Sequence, residues 1–189
     1  MEVFIIPLFF ILPFIMPIMT FNLAKFITKK EKQELELSQN KNLFTQAQKA
    51  VMVFKIATIL LFSIPLLFLI PHIINPPYND GAQGALFFIF LPSTLFIFIP
   101  AIAGIHGYNY LFYTTSNKNA FFILAVPFTP TLLLGFLATI KAIQGDWAIV
   151  NGHVAAILIL PSLFVLGIMA VILFILRKKF KIQKQQSNT

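Results

Sequence analysis

An all-α, polytopic bundle of transmembrane helices, five spans with four as the alternative and kinked by proline, is the fold this sequence predicts. Three observations predict it. Hydrophobic residues make up 58% of the chain and charged residues only 11%, so the charges are too sparse to cover a soluble domain of 189 residues. The apolar residues gather into runs of about 18 or more, long enough to cross a hydrocarbon layer as helices. The bases flank those runs: one block lies between Lys25 and Lys55 and a second between Arg177 and Lys184.

The expected spans cover residues 3–24, 50–71, 85–103, 120–141 and 153–176 of one integral membrane domain. The first opens with Glu2 where a signal peptide would carry positive charge, and no small-residue cleavage site follows it, so it reads as a span. Pro7, Pro13 and Pro17 should kink it, a distortion that membrane helices tolerate when neighbouring groups satisfy the freed carbonyls.

Residues 25–49 form a basic cytoplasmic loop. Its first part, Lys30 to Glu36, reads as a solvated helical extension, Ser38 to Asn42 as a turn, and Thr45 with Gln48 as a capping box that opens the next helix. The second span contains Pro65, and Lys55 near its start can snorkel to the headgroups. A turn-rich loop, Asn75 to Gly81, precedes the third span, which holds Pro92 and Pro100. Pro127 and Pro130 break the fourth span, and Pro161 lies in the fifth. Residues 177–189 form a basic cytoplasmic tail.

Leu91-Pro92-Ser93-Thr94-Leu95-Phe96 echoes Leu160-Pro161-Ser162-Leu163-Phe164, which would relate spans two–three to spans four–five as a parallel repeat.

Lysine and arginine bias in the short connections fixes the orientation. The first basic block, Lys118 and the tail fall on one side and Lys141 alone on the other, so the N-terminus is expected outside and the C-terminus in the cytoplasm. With four spans both termini would be cytoplasmic. The abundance of Phe, Ile, Lys and Asn is what AT-rich coding DNA encodes, and it points to a bacterial inner membrane. The net charge of +8 is expected to meet anionic lipid headgroups rather than nucleic acid, for which no recognition module is present.

Chemistry-bearing groups are few. Cysteine is absent, which removes disulfides, thiolate metal sites and thiol nucleophiles. No Asp, Glu or Arg falls at the centre of a span, where ion-coupled carriers and proton pumps hold charge. Ser63, Thr94, Thr129 and Thr131 each lie close to a proline, and their hydroxyls are expected to cap carbonyls that lost a partner.

His72, Asp80, Asp146 and His153 are expected at the outer face as a polar cluster. No two of them share helical ligand spacing, so interfacial residues are a better account than a metal site. His106 lies toward the inner face beside Tyr108, Asn109, Tyr110 and Tyr113, which read with Trp147 as aromatic belts. A paired haem ligand would need a second histidine at that depth. Neither a catalytic site, a metal nor a cofactor is expected.

Ala101, Ala103, Gly104, Gly135, Ala138 and Gly167 should allow close helix contacts, some of them with another copy in a homo-oligomer. The functional expectation is a non-enzymatic membrane sensor or anchor for a cytosolic protein partner, of the kind found in immunity or phage-defence systems. Its partner-binding residues would be Lys29, Lys30, Lys32, Leu35, Leu37, Arg177, Lys178 and Lys179. The alternative is an oligomeric pore or an uncoupled small-solute carrier, favoured if hydroxyls converge on one axis and disfavoured if each is satisfied within its own helix.

Overall fold

Apolar sequence in which proline is nearly the only helix breaker folds into long helices, because in lipid a backbone satisfies its own hydrogen bonds best that way. A computed structural model of the chain, describing residues 5–37, 41–74, 97–145 and 148–180, is helical throughout its regular elements, with no strand among the described residues.

Helix α1 runs Ile5–Leu37 and α2 runs Lys41–Ile74. The described part of α3 covers residues 97–103, and a short α4 spans Ile105–Tyr108. Next come α5 (Asn117–Ala125), a 3₁₀ turn at Val126–Phe128, α6 (Thr129–Ile143) and α7 (Ala148–Lys179). Among the described residues three segments are long and apolar enough to cross a membrane: Phe44–Ser63, Asn117–Ile143 and Asn151–Lys179. They overlie the second, fourth and fifth expected spans.

Helices α1, α2 and α7 have 33, 34 and 32 residues. At about 1.5 Å per residue each is roughly 50 Å long, more than the about 30 Å of a hydrocarbon layer. The polar segment after residue 25 accordingly remains helical to Leu37, and α2 starts at Lys41. Thr45 is therefore not the cap expected of it: it lies inside α2, because Lys41 to Phe44 carry no breaker that would delay the helix.

The faces of the helices show what surrounds them. On α2, Ala47, Ala50, Phe54, Thr58 and Phe62 are buried, and the exposed positions Met52, Val53, Ile56, Ile59 and Leu60 are apolar as well. On α7, Leu158, Leu166, Met169 and Leu173 are buried while Leu160, Leu163, Phe164 and Val171 are exposed. A helix apolar on both sides has lipid on the outer one.

Since lipid is as apolar as leucine, close packing must hold the bundle together. Phe54 meets Tyr108 and Phe112 edge-on at 5.7 and 5.8 Å, and Phe62 meets Phe98 at 4.8 Å. Such pairs contribute about 0.5–1.5 kcal/mol each beyond area burial.

Two glycines permit helix crossings. A Cβ added to Gly135 on α6 would lie 2.5 Å from Ile159 Cγ1 on α7, and one on Gly107 in α4 would lie 2.9 Å from Thr20 Cγ2 on α1. Gly135 was among the small residues expected at helix contacts and Gly107 was not. At Gly167 a Cβ meets nothing within 4 Å in this chain, because the residue sits on the exposed side of α7.

The span expected at residues 120–141 consists of α5 and α6 joined through the 3₁₀ turn. Pro127 and Pro130 cannot donate to the carbonyls four residues back, which is why one continuous ladder does not form there. Ser116 caps α5, its Oγ accepting from the Asn119 N–H at 3.4 Å. Gly145, at φ +84°, follows the end of α6, a left-handed conformation that suits glycine.

Candidate functional site

The polar groups of the described structure converge at the end of the bundle where α1 extends, α2 begins and α7 finishes. Between α4 and α5 the chain winds through a series of turns, with Tyr110 N–H donating to Gly107, Leu111 N–H to Tyr108 and Tyr113 N–H to Tyr110, each at 3.1 Å. This winding leaves the carbonyls of Leu111, Thr114 and Thr115 without helical partners, and Arg177 of α7 reaches into them. Its Nη1 donates to Leu111 O (2.6 Å) and Thr114 O (2.9 Å), its Nη2 to Thr115 O (3.1 Å), and its Nε to Asn117 Oδ1 (2.8 Å).

Arg177 is fully buried. A charge is buried at bearable free energy only when paired and hydrogen-bonded, and Glu31 of α1 supplies the opposite charge nearby. The Glu31 carboxylate accepts from the Thr115 N–H at 2.9 Å. Aromatic contacts close the same end: Phe44 stacks on Tyr113 with centroids 5.9 Å apart, Lys32 Nζ lies 5.5 Å above the Tyr113 ring, and Phe21 meets Tyr110 edge-on at 5.7 Å.

The geometry changes the roles of several expected residues. Arg177 was grouped with Lys178 and Lys179 on a solvated, partner-binding tail, but α7 continues past it and carries its side chain inward, while Lys178 and Lys179 stay exposed. Lys29 and Lys30 are exposed and Lys32 is partly covered. Leu35 and Leu37 belong to the last turn of α1, and their side chains lie outside the described residues.

Tyr108 leaves the aromatic belt. It is buried beside Phe54, its hydroxyl has no hydrogen-bond partner among the described residues, and burial pushes the phenol above its ordinary range. Gly104 gives the hydroxyl room, since a Cβ there would lie 3.0 Å from the oxygen.

At the other end of the bundle the expected outer cluster is only partly described. His153 is exposed on α7 and His72 lies near the end of α2. Asp80 and Asp146 fall outside the described residues, as do Trp147, Ser93 and Thr94. Among the described residues no three His, Asp or Glu side chains come together.

Seven helical hydroxyls follow one rule. Thr20, Thr28, Thr58, Ser63, Thr129, Thr139 and Ser162 each donate to the carbonyl four residues back. For Ser63 and Thr129 this differs from the expected capping of proline-freed carbonyls. Pro161 leaves the Ile157 carbonyl without an N–H, yet Ser162 bonds Leu158 O at 2.5 Å, because a helical hydroxyl reaches the carbonyl of its own preceding turn.

Glu31, Thr115 and Tyr108 were the residues sequence reasoning missed as a group. One signal was available for Arg177: it is the only arginine beside thirteen lysines. Lysine suffices to orient a chain in a membrane, whereas a planar, five-donor guanidinium is suited to several carbonyls at once.

Set against known proteins, the chain matches no family model, no curated protein and no solved structure. Fold and site therefore define a class, an all-helical protein with three described helices able to cross a membrane.

Proposed function

We propose that the chain is a non-enzymatic integral membrane protein that serves as a sensor or anchor for a cytosolic protein partner. In this reading the apolar half of α1 and residues 85–103 complete five spans, with the N-terminus outside and the end bearing Arg177 in the cytoplasm of a bacterial inner membrane. The observation that carries it is the division of polar chemistry within the described structure. The hydroxyls of Thr58, Ser63, Thr139 and Ser162 are satisfied within their own helices, which supports a sealed bundle over a hydrophilic path. Most of the exposed charge gathers instead at the Arg177 end, on Lys178 and Lys179 of α7 and Lys118 of α5, with Lys141 of α6 at the other.

Arg177 and Glu31 hold α1, α5 and α7 in one geometry there, giving a partner a rigid surface to recognise. A membrane component of an immunity or phage-defence system is the setting that suits the size, the AT-rich usage and the scarcity of reactive groups. Deleting the gene should then change sensitivity to phage or toxin, and unchanged sensitivity would count against that setting.

The anchor reading is tested by capturing the tagged full-length protein from its host in mild detergent, beside a K178Q/K179Q variant. The expected result is a soluble protein recovered in near-equal amount with the parent and lost with the variant. A clean preparation without a partner would contradict it and turn attention to solute flux in liposomes.

A further inference from the structure

The outward face of α1 changes chemistry partway along the helix. Thr20, Ala24 and Thr28 are buried at i, i+4 and i+8, and so define the side turned to the bundle. Thr20 meets Gly107 there, and Glu31 on the same side holds Thr115. The opposite, exposed side is apolar at Ile15, Ile18 and Met19, polar at Asn22, and cationic at Lys25, Lys29 and Lys30. Phe26, set among these lysines, is 82% exposed.

We propose that this surface binds anionic phospholipid headgroups, the lysines meeting phosphates and Phe26 resting among the upper acyl carbons. The register fits. From Asn22 to Lys29 the helix rises about 10 Å, comparable to the headgroup layer outside a hydrocarbon core of about 30 Å, and lysine stems can bridge the remainder. Charge fits as well, for no acidic residue lies between Glu2 and Glu31, leaving the outward lysines no acid among the preceding turns of α1. Continuity selects lipid over an acidic protein segment. The exposed side running into Phe26 is the one that presents Ile15, Ile18 and Met19 to acyl chains, and a soluble peptide would have to displace lipid to reach that ring. The site rests on the proposed first span and stands apart from the cytosolic-partner reading, which rests on Lys178 and Lys179.

The test titrates purified full-length protein in detergent with phosphatidylglycerol or phosphatidylcholine and counts bound lipids by native mass spectrometry. With each membrane-adjacent lysine contributing roughly fivefold to anionic-lipid affinity, phosphatidylglycerol should be preferred by the parent. A K25Q/K29Q/K30Q variant should lose at least about tenfold of that preference, a K25R/K29R/K30R variant should keep it, and K178Q/K179Q should retain most of it. Equal binding of the two lipids by the parent, or an unchanged preference in the glutamine variant, would overturn the proposal. So would an oligoglutamate peptide that binds through the same lysines and excludes phosphatidylglycerol.

Discussion

Glu31 and Arg177 grip the same residue from opposite sides. The carboxylate takes the N–H of Thr115 and the guanidinium takes its carbonyl, at 2.9 and 3.1 Å. Two charges that do not touch are thereby joined through one backbone unit, and α1 and α7 are fixed to the turn that leads into α5.

Because the joint depends on the shape of the guanidinium and not only on its charge, R177K should weaken it. A lysine ammonium can serve one or two of the carbonyls of Leu111, Thr114 and Thr115 but has no planar fork for all of them. Hydrogen bonds to charged groups contribute about 1.5–3 kcal/mol each. The expected loss is about 2–3 kcal/mol, read as a fall of roughly 5–10 °C in the unfolding midpoint in detergent. An unchanged midpoint would mean that Arg177 is not held as described.

Glu31 acts on Thr115 as an acceptor, and a glutamine retains an acceptor oxygen. E31Q should keep the Thr115 amide protected from hydrogen exchange, and E31A should release it. In a double-mutant cycle, E31A and R177K should be coupled by about 1 kcal/mol or more, as for neighbours in one network. Additive effects would show that the two residues act separately.

Tyr108 is a buried hydroxyl without a partner, a group whose burial costs about 1–3 kcal/mol. Y108F should raise the unfolding midpoint by a few degrees, the ring contacts with Phe54 and Phe112 being retained. A lower midpoint would reveal a partner for this hydroxyl.

Three glycine substitutions separate contact from exposure. G135A and G107A place a methyl against Ile159 and Thr20 and should destabilise by about 1–3 kcal/mol, as overpacking does. G167A meets open space and should be neutral or slightly stabilising, since alanine is the better helix former by about 1 kcal/mol. Thermal unfolding of the three variants side by side checks the ordering.

Much of the architecture was legible because span length and composition are coarse properties. Residues 50–71, 120–141 and 153–176 overlap helices that can cross a membrane. Residues 91–96, half of the suspected internal repeat, lie outside the described residues.

The direction in which side chains point was not legible. Along α2 and α7 the inner and outer faces are both apolar, so no periodicity marks which glycine makes a crossing within the chain, and Gly107 went unnoticed. Arg177 was hidden for a related reason. A base at the end of a span is ordinarily a topological signal, and only its difference from the surrounding lysines marked another use. Glu31 could not be found from its neighbourhood, since its partner amide lies 84 residues away.

Cysteine accessibility distinguishes a membrane bundle whose Arg177 end faces the cytoplasm from one inserted the other way. The chain has no cysteine of its own, so single replacements at the exposed residues Lys118 and Gln144 report opposite ends of α5–α6 on a silent background. With a membrane-impermeant maleimide on intact cells, Q144C should label and K118C should label only after permeabilisation. Labelling of both in intact cells, or the reverse pattern, would contradict the account.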